Sequence, residues 1–242
     1  MIKTLLYGSL LSVSLWGEMR PALATGNHAQ AVQQCQALST STTQYRLPTV
    51  GELFTYALSR PQAPARIAWS DTPLAGSQGL YFAVAIATLD TNTYPQTERM
   101  DVLCTSDPYP TPKANRFIAK EGVVIDTATN QLWEVKTAQN KKIRYTFTDA
   151  KTYCENLSLS NQTGWRLPTV QELYTIIDHT RVSPSLDTTL FGETIFKYYW
   201  TNDNSYDDFA NEAFVIGFKI GSVASGSKNN ESFVRCIKSL EH

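Results

Sequence analysis

One segment of this chain occurs twice. Gln44-Tyr45-Arg46-Leu47-Pro48-Thr49-Val50-Gly51-Glu52-Leu53 aligns with Gly164-Trp165-Arg166-Leu167-Pro168-Thr169-Val170-Gln171-Glu172-Leu173. The likeness continues in both directions. Upstream, Ala31, Cys35 and Leu38 correspond to Ala150, Cys154 and Leu157 at the same mutual spacing. Downstream, Ala68-Trp69-Ser70-Asp71 resembles Tyr199-Trp200-Thr201-Asn202, and Phe82-Ala83-Val84 parallels Phe214-Val215-Ile216. Last, Asp101-Val102-Leu103-Cys104-Thr105 parallels Phe233-Val234-Arg235-Cys236-Ile237. Matching features in one order make the chain a tandem repeat, so the fold is one small unit used twice.

Each element of the unit has a physical meaning. Ala31, Cys35 and Leu38, like their counterparts, recur at helical spacing and mark the buried stripe of a first helix. Thr148 is the expected N-cap of that helix in the second copy. In Arg-Leu-Pro the proline forces the preceding Leu into extended backbone. Thr49-Val50-Gly51-Glu52 and Thr169-Val170-Gln171-Glu172 then read as capping boxes, each opening a second helix. In the second copy that helix would bury Leu173, Ile176 and Ile177. Beyond the helices, residues 80–86, 213–220 and 233–237 alternate aromatic and β-branched side chains as short strands do. Residues 117–135 add a hairpin to the second copy, turning at residues 126–130. The first copy lacks it.

The four cysteines, one on the first helix and one on the last strand of each copy, pair most economically within a copy. That gives Cys35 with Cys104 and Cys154 with Cys236. A metal site would ask for closer spacing than these cysteines have. Compartment follows from the first residues. Lys3, an apolar run over residues 5–16 and Ala22-Leu23-Ala24 read as a secretory signal peptide cleaved after Ala24. The run is too short to span a bilayer, so no membrane span is expected once it is removed. An even cysteine count suits an exported chain, with periplasmic, extracellular or cell-surface location. The net charge of −1 for the whole chain supplies no field that would favour nucleic acid. The expected organisation is a signal peptide over residues 1–24 and a degenerate repeat over residues 25–106. A Pro-rich linker at residues 107–116 and a complete repeat at residues 117–242 follow.

The second copy resembles the Lcl C-terminal domain family. It carries Tyr153-Cys154, Trp165-Arg166-Leu167-Pro168-Thr169, Glu172-Leu173, Tyr199-Trp200-Thr201 and Val234-Arg235-Cys236-Ile237, with Leu132-Trp133-Glu134 in the opening hairpin. The first copy resembles it less, since Tyr45 replaces the Trp. The resemblance implies an α+β fold of two tandem C-type-lectin-like domains. Each would have two helices packed on small antiparallel sheets and one disulfide. It also implies adhesion, receptor binding or filament assembly, although a fold does not fix a function.

Candidate chemistry is sparse. Arg46 and Arg166 sit beside the proline turn, where their donors serve local carbonyls. The stretch from Trp200 through Asn202, Asp203, Asn204, Tyr206, Asp207 and Asp208 gathers oxygens and aromatic rings. Such groups bind sugars or calcium, the one cofactor expected if any, and a solvated loop is the simpler account. Lys141-Lys142-Ile143-Arg144 is a small basic cluster, and residues 221–227 read as a flexible hairpin tip. His179 is read as a cation at a helix C-terminus. No nucleophile–base pair, G-x-S-x-G or H-E-x-x-H is present, so no catalytic residue is assigned and no enzyme is expected. The expected function is an exported binding module that recognises a surface glycan or protein. The alternative is a subunit or accessory factor of a pilus, filament or secretion assembly, and an oligomer suits either.

Overall fold

The three capping boxes set the helical frame. In a computed structural model, which describes residues 19–21, 24–61, 63–111 and 114–240, a strand β1 (Arg20–Pro21) precedes helix α1 (His28–Ala37). Asn27 caps α1: its side chain accepts from the Gln30 amide at 2.9 Å while Gln30 Oε1 accepts from the Asn27 amide at 3.1 Å. Thr49 and Glu52 do the same for α2 (Val50–Leu58), and Thr169 and Glu172 for α4 (Val170–Tyr174). Each box satisfies two amides that a helix leaves free at its start. The cap of α3 (Phe147–Glu155) is Thr146, two residues before the expected Thr148. Capping there lets Phe147 bury as the first helical residue and puts the Asp149 amide on Thr146 Oγ1 at 3.3 Å.

The strands follow in the order β2 (Ile67–Pro73), β3 (Leu80–Ala85), β4 (Thr91–Pro95), β5 (Leu103–Cys104), β6 (Phe117–Lys120), β7 (Val123–Asp126) and β8 (Gln131–Glu134). After α3 and α4 come α5 (Thr188–Phe191), β9 (Tyr198–Asn204), β10 (Glu212–Gly217), β11 (Ser222–Ser227) and β12 (Ile237–Ser239). They form small antiparallel sheets of order β2-β3-β4, β11-β10-β9 and β12-β8-β7-β6, with β1 on β5. The fold is mixed α+β with two disulfides, Cys35–Cys104 and Cys154–Cys236. The expected hairpin at residues 117–135 is a three-strand meander. Of residues 221–227, expected to be a flexible hairpin tip, Ser222–Ser227 are instead β11, paired with β10 from Glu212–Ser227 to Gly217–Ser222. Its small residues have weak strand propensity. Gly226, however, leaves room for the Trp200 ring, whose nearest atoms would lie 3.5 Å from a Cβ at that position.

The halves are not separate bodies on a swinging linker. One core cluster holds Leu53, Phe54, Phe82 and Val84 from the first half beside Leu173, Tyr174, Phe214 and Ile216 from the second. Smaller clusters surround the cystines, with Tyr45 and Trp69 at Cys35–Cys104 and Trp165 and Trp200 at Cys154–Cys236. The start of the Pro-rich stretch is fixed to the first half. Arg46 Nε donates to Asp107 O at 2.9 Å, its guanidinium lies 4.1 Å from the Tyr109 ring, and the Tyr109 hydroxyl donates to Asp71. The apolar run over residues 5–16 lies outside the described residues. No helix among the described residues is long and apolar enough to cross a membrane.

Candidate functional site

The polar stretch after Trp200 divides into internal and surface groups. Trp200 is fully buried, and its indole donates to Tyr145 O at 2.8 Å, as that of Trp69 donates to Gly26 O at 3.0 Å. Neither ring can stack on a ligand. Asp203 Oδ2 accepts from the Val170 amide at 2.6 Å, the position Thr72 Oγ1 holds at Val50 in the first half. Burial, and then the neighbouring Glu172, push the Asp203 carboxyl above its ordinary range against that amide. Asp208 closes its own turn by accepting from the Asn211 amide at 3.1 Å and side chain at 3.0 Å. Trp200 is therefore structural, which corrects its reading as a ligand contact, while Asp203 and Asp208 brace the backbone around them. Asn202, Tyr206 and Asp207 are exposed and Asn204 is partly so. Among the described residues no group of three or more His, Cys, Asp or Glu is placed to hold a metal ion.

Asp207 points to a different site. It raises the Asp90 carboxyl of the first half, an effect secondary to the protein packed around Asp90. Beside Asp90 a cleft of about 480 Å³ opens between the halves. The first half contributes Asp90, Asn92 and Tyr94 from the edge strand β4 and the turn before it; the second contributes Phe196, Lys197, Tyr198 and Lys219. Phe196 and Tyr198 are 49% and 46% exposed, an unusual cost for two neighbouring aromatic rings. Gly217, opposite Tyr198 in the sheet, lets that ring lie close: a Cβ there would come 3.0 Å from Tyr198 Cε1. Lys197 and Lys219 are exposed and have no carboxylate partner among the described residues. Rings with flanking cations and an Asp–Asn pair are the equipment of a recognition surface.

The remaining polar clusters are structural. Glu134 Oε1 accepts from Lys136 Nζ and Tyr153 OH, both at 2.6 Å, and Oε2 from the Cys236 amide at 3.0 Å. Fully buried Arg235 donates to Glu134 O at 2.6 Å, Phe191 O at 2.9 Å and Thr194 Oγ1 at 3.0 Å. Burial drives the Lys136 ammonium down, opposed by Glu134, and drives the Tyr153 hydroxyl up, reinforced by Glu134. The network ties β8 to the last cystine. Arg46 and Arg166 each reach the capping-box carboxylate, at 2.7 Å to Glu52 and Glu172 respectively. In the basic cluster, Lys141 pairs with Glu193 at 2.5 Å and Arg144 with Glu231 at 3.3 Å. His179 is not a helix-end cation: burial holds its pKa down at about 4, and Nε2 lies 3.1 Å from Tyr174 OH.

Sequence reasoning missed the cleft because its walls come from segments that become neighbours only when the halves join. The local signal available was the aromatic pair Phe196 and Tyr198 just before the buried Tyr199-Trp200. Residues 122–238 match the family model of the Lcl C-terminal domain. No curated protein matches the chain.

Proposed function

Because residues 122–238 match the family model of the Lcl C-terminal domain, we propose that the chain is an exported, non-enzymatic binding protein. In this reading the first half is a degenerate copy of the same C-type-lectin-like unit. The ligand, a surface glycan or protein engaged in adhesion or recognition, sits in the cleft between the halves. The observation that carries it is the pair of exposed rings, Phe196 and Tyr198, flanked by the ammonium groups of Lys197 and Lys219, which have no carboxylate partner among the described residues. Rings of this kind cover the apolar face of a sugar or a peptide side chain, and lysines add charge to the contact. Two disulfides and the absence of a membrane-crossing helix among the described residues are compatible with export.

The test is a glycan array and a cell-surface binding assay, run with the wild type and with Phe196→Ala/Tyr198→Ala. These side chains are exposed, so the variant should keep the wild-type circular dichroism. Loss of both rings should weaken binding about tenfold or more, roughly 1.4 kcal/mol or above. Unchanged binding would remove the cleft from the function. A second reading, a subunit of a surface assembly, is favoured by the edge strand β6, which displays Ile118 at 47% exposure.

A further inference from the structure

The last strand of each half needs a neighbour along its outer edge, and the halves obtain it differently. In the second half β8 supplies it: Trp133 lies opposite Ile237, and the Glu134 amide donates to Cys236 O at 3.0 Å. Among the described residues the first half has no such meander. Its β5 pairs with β1 instead, Arg20 opposite Cys104 and Pro21 opposite Leu103. Cys104 and Cys236 are the equivalent half-cystines. Continuing the antiparallel register therefore places Arg20 where the second half has Glu134, and Met19 where it has Trp133. Trp133 is fully buried in the shared core, and Met19 packs against that same cluster. Arg20 lies 5.5 Å over the Tyr45 ring, and Pro21 forms part of a groove with Tyr56, Pro64 and Ile86.

Cleavage after Ala24 would remove the residues that fill this position. We propose that the outer edge of β5 is a strand-acceptor site. Residues 19–21 close it in the precursor; in the exported protein it takes an extended segment of another polypeptide, with a long apolar side chain at the place of Met19. The proposal rests on the export reading given above. The occupant follows from what the site offers. A vacated sheet edge presents unpaired backbone amides and carbonyls, which an extended peptide satisfies residue by residue. The one side-chain position that faces inward opens on an apolar core, which the two halves fill with Met19 and Trp133. A peptide strand meets both demands.

The experiment compares two forms of the otherwise complete chain, one beginning at Met19 and one at Thr25, by amide hydrogen exchange over residues 102–104, because the amides of Met100, Asp101 and Thr105 are held by Gly26, Ile67 and Arg46 in either form. The probe is a synthetic peptide of residues 17–24, with a Met19→Asp peptide as control. The form beginning at Thr25 should exchange about tenfold faster or more in that segment. The peptide should restore protection and the Met19→Asp peptide should not. A form beginning at Thr25 that self-associates, and is dissociated by the peptide, would support the site and name a second copy as donor. Equal protection in both forms without peptide would overturn the proposal. So would failure of the Thr25 form to fold, since β1 would then be a permanent part of the first half. N-terminal sequencing of the exported protein separates this from the premise: a chain that keeps Met19 overturns the cleavage and the acceptor together. A chain starting at Thr25 with a protected edge overturns the acceptor alone.

Discussion

The ring of Tyr174 lies on that of Phe54, centroids 4.0 Å apart and planes inclined by 21°. One ring belongs to each half, each on the helix that its capping box opens, so the strongest feature of the repeated sequence also builds the joint between the copies. Phe54→Ala would empty a fully buried position in the shared core and should cost about 3–5 kcal/mol. Amides of the second-half helix α4 should lose exchange protection together with those of α2. Destabilisation confined to the first half would show that the two halves unfold independently.

Glu172 should make the second half acid-sensitive at low pH. Burial alone would raise its carboxyl, but Arg166 and the Thr169 amide bring it down to about 2 from an ordinary 4.5. A depressed carboxylate contributes stability above its unfolded value and loses it as pH falls through the folded one. Stability should therefore decline by about 3 kcal/mol between pH 5 and pH 2 from this group, and Glu172→Gln should remove that part of the slope. Urea unfolding at a series of pH values checks it; an unchanged slope in the variant would refute the assignment.

His179 acts at milder acidity. Burial lowers its pKa to about 4 from 6.5, so between those values the unfolded chain binds a proton that the folded chain refuses. Stability should be complete above pH 6.5 and fall toward pH 4, by about 3 kcal/mol in all. The ring meets Phe82 of the first half edge-on at 4.8 Å, so the loss falls on the joint. His179→Gln should flatten the decline from pH 6.5 to pH 4 in thermal unfolding. A decline of the same size in the variant would point to another group.

The cystines close sequence separations of 69 and 82 residues. Replacing either pair with serine should cost about 4 kcal/mol, because each cross-link restricts the unfolded chain to a similar degree. Calorimetry of the Cys35→Ser/Cys104→Ser and Cys154→Ser/Cys236→Ser proteins would measure this. A negligible effect of one pair would show that its loop stays compact without the bond.

Much of this architecture was legible because it is local or repeated. The Thr-x-x-Glu boxes specify helix starts within four residues of sequence, and the matched positions of the cysteines made their pairing readable. The illegible parts depend on distant partners. Thr146 and Thr148 are equivalent as caps until the burial of Phe147 chooses between them. The segment Ser222–Ser227 becomes a strand because β10 offers it an edge, against its own weak propensity. Asp203 reads as a ligand group until the proline turn from far upstream brings the Val170 amide to it. The cleft is the extreme case, since its walls at Asp90 and at Phe196 meet only after the two halves share a core.

The placement of the cystines also has a mechanical consequence. A tensile load along the chain passes through each disulfide and bypasses the loop it closes. Every wall residue of the cleft lies inside one of those loops, between Cys35 and Cys104 or between Cys154 and Cys236. Under stretching, the stretch from Thr105 to Tyr153 pays out first, while each wall keeps its own covalent length. A chain built this way would surrender the β6–β8 meander, which lies between the two closed loops, before either wall of its cleft was drawn out.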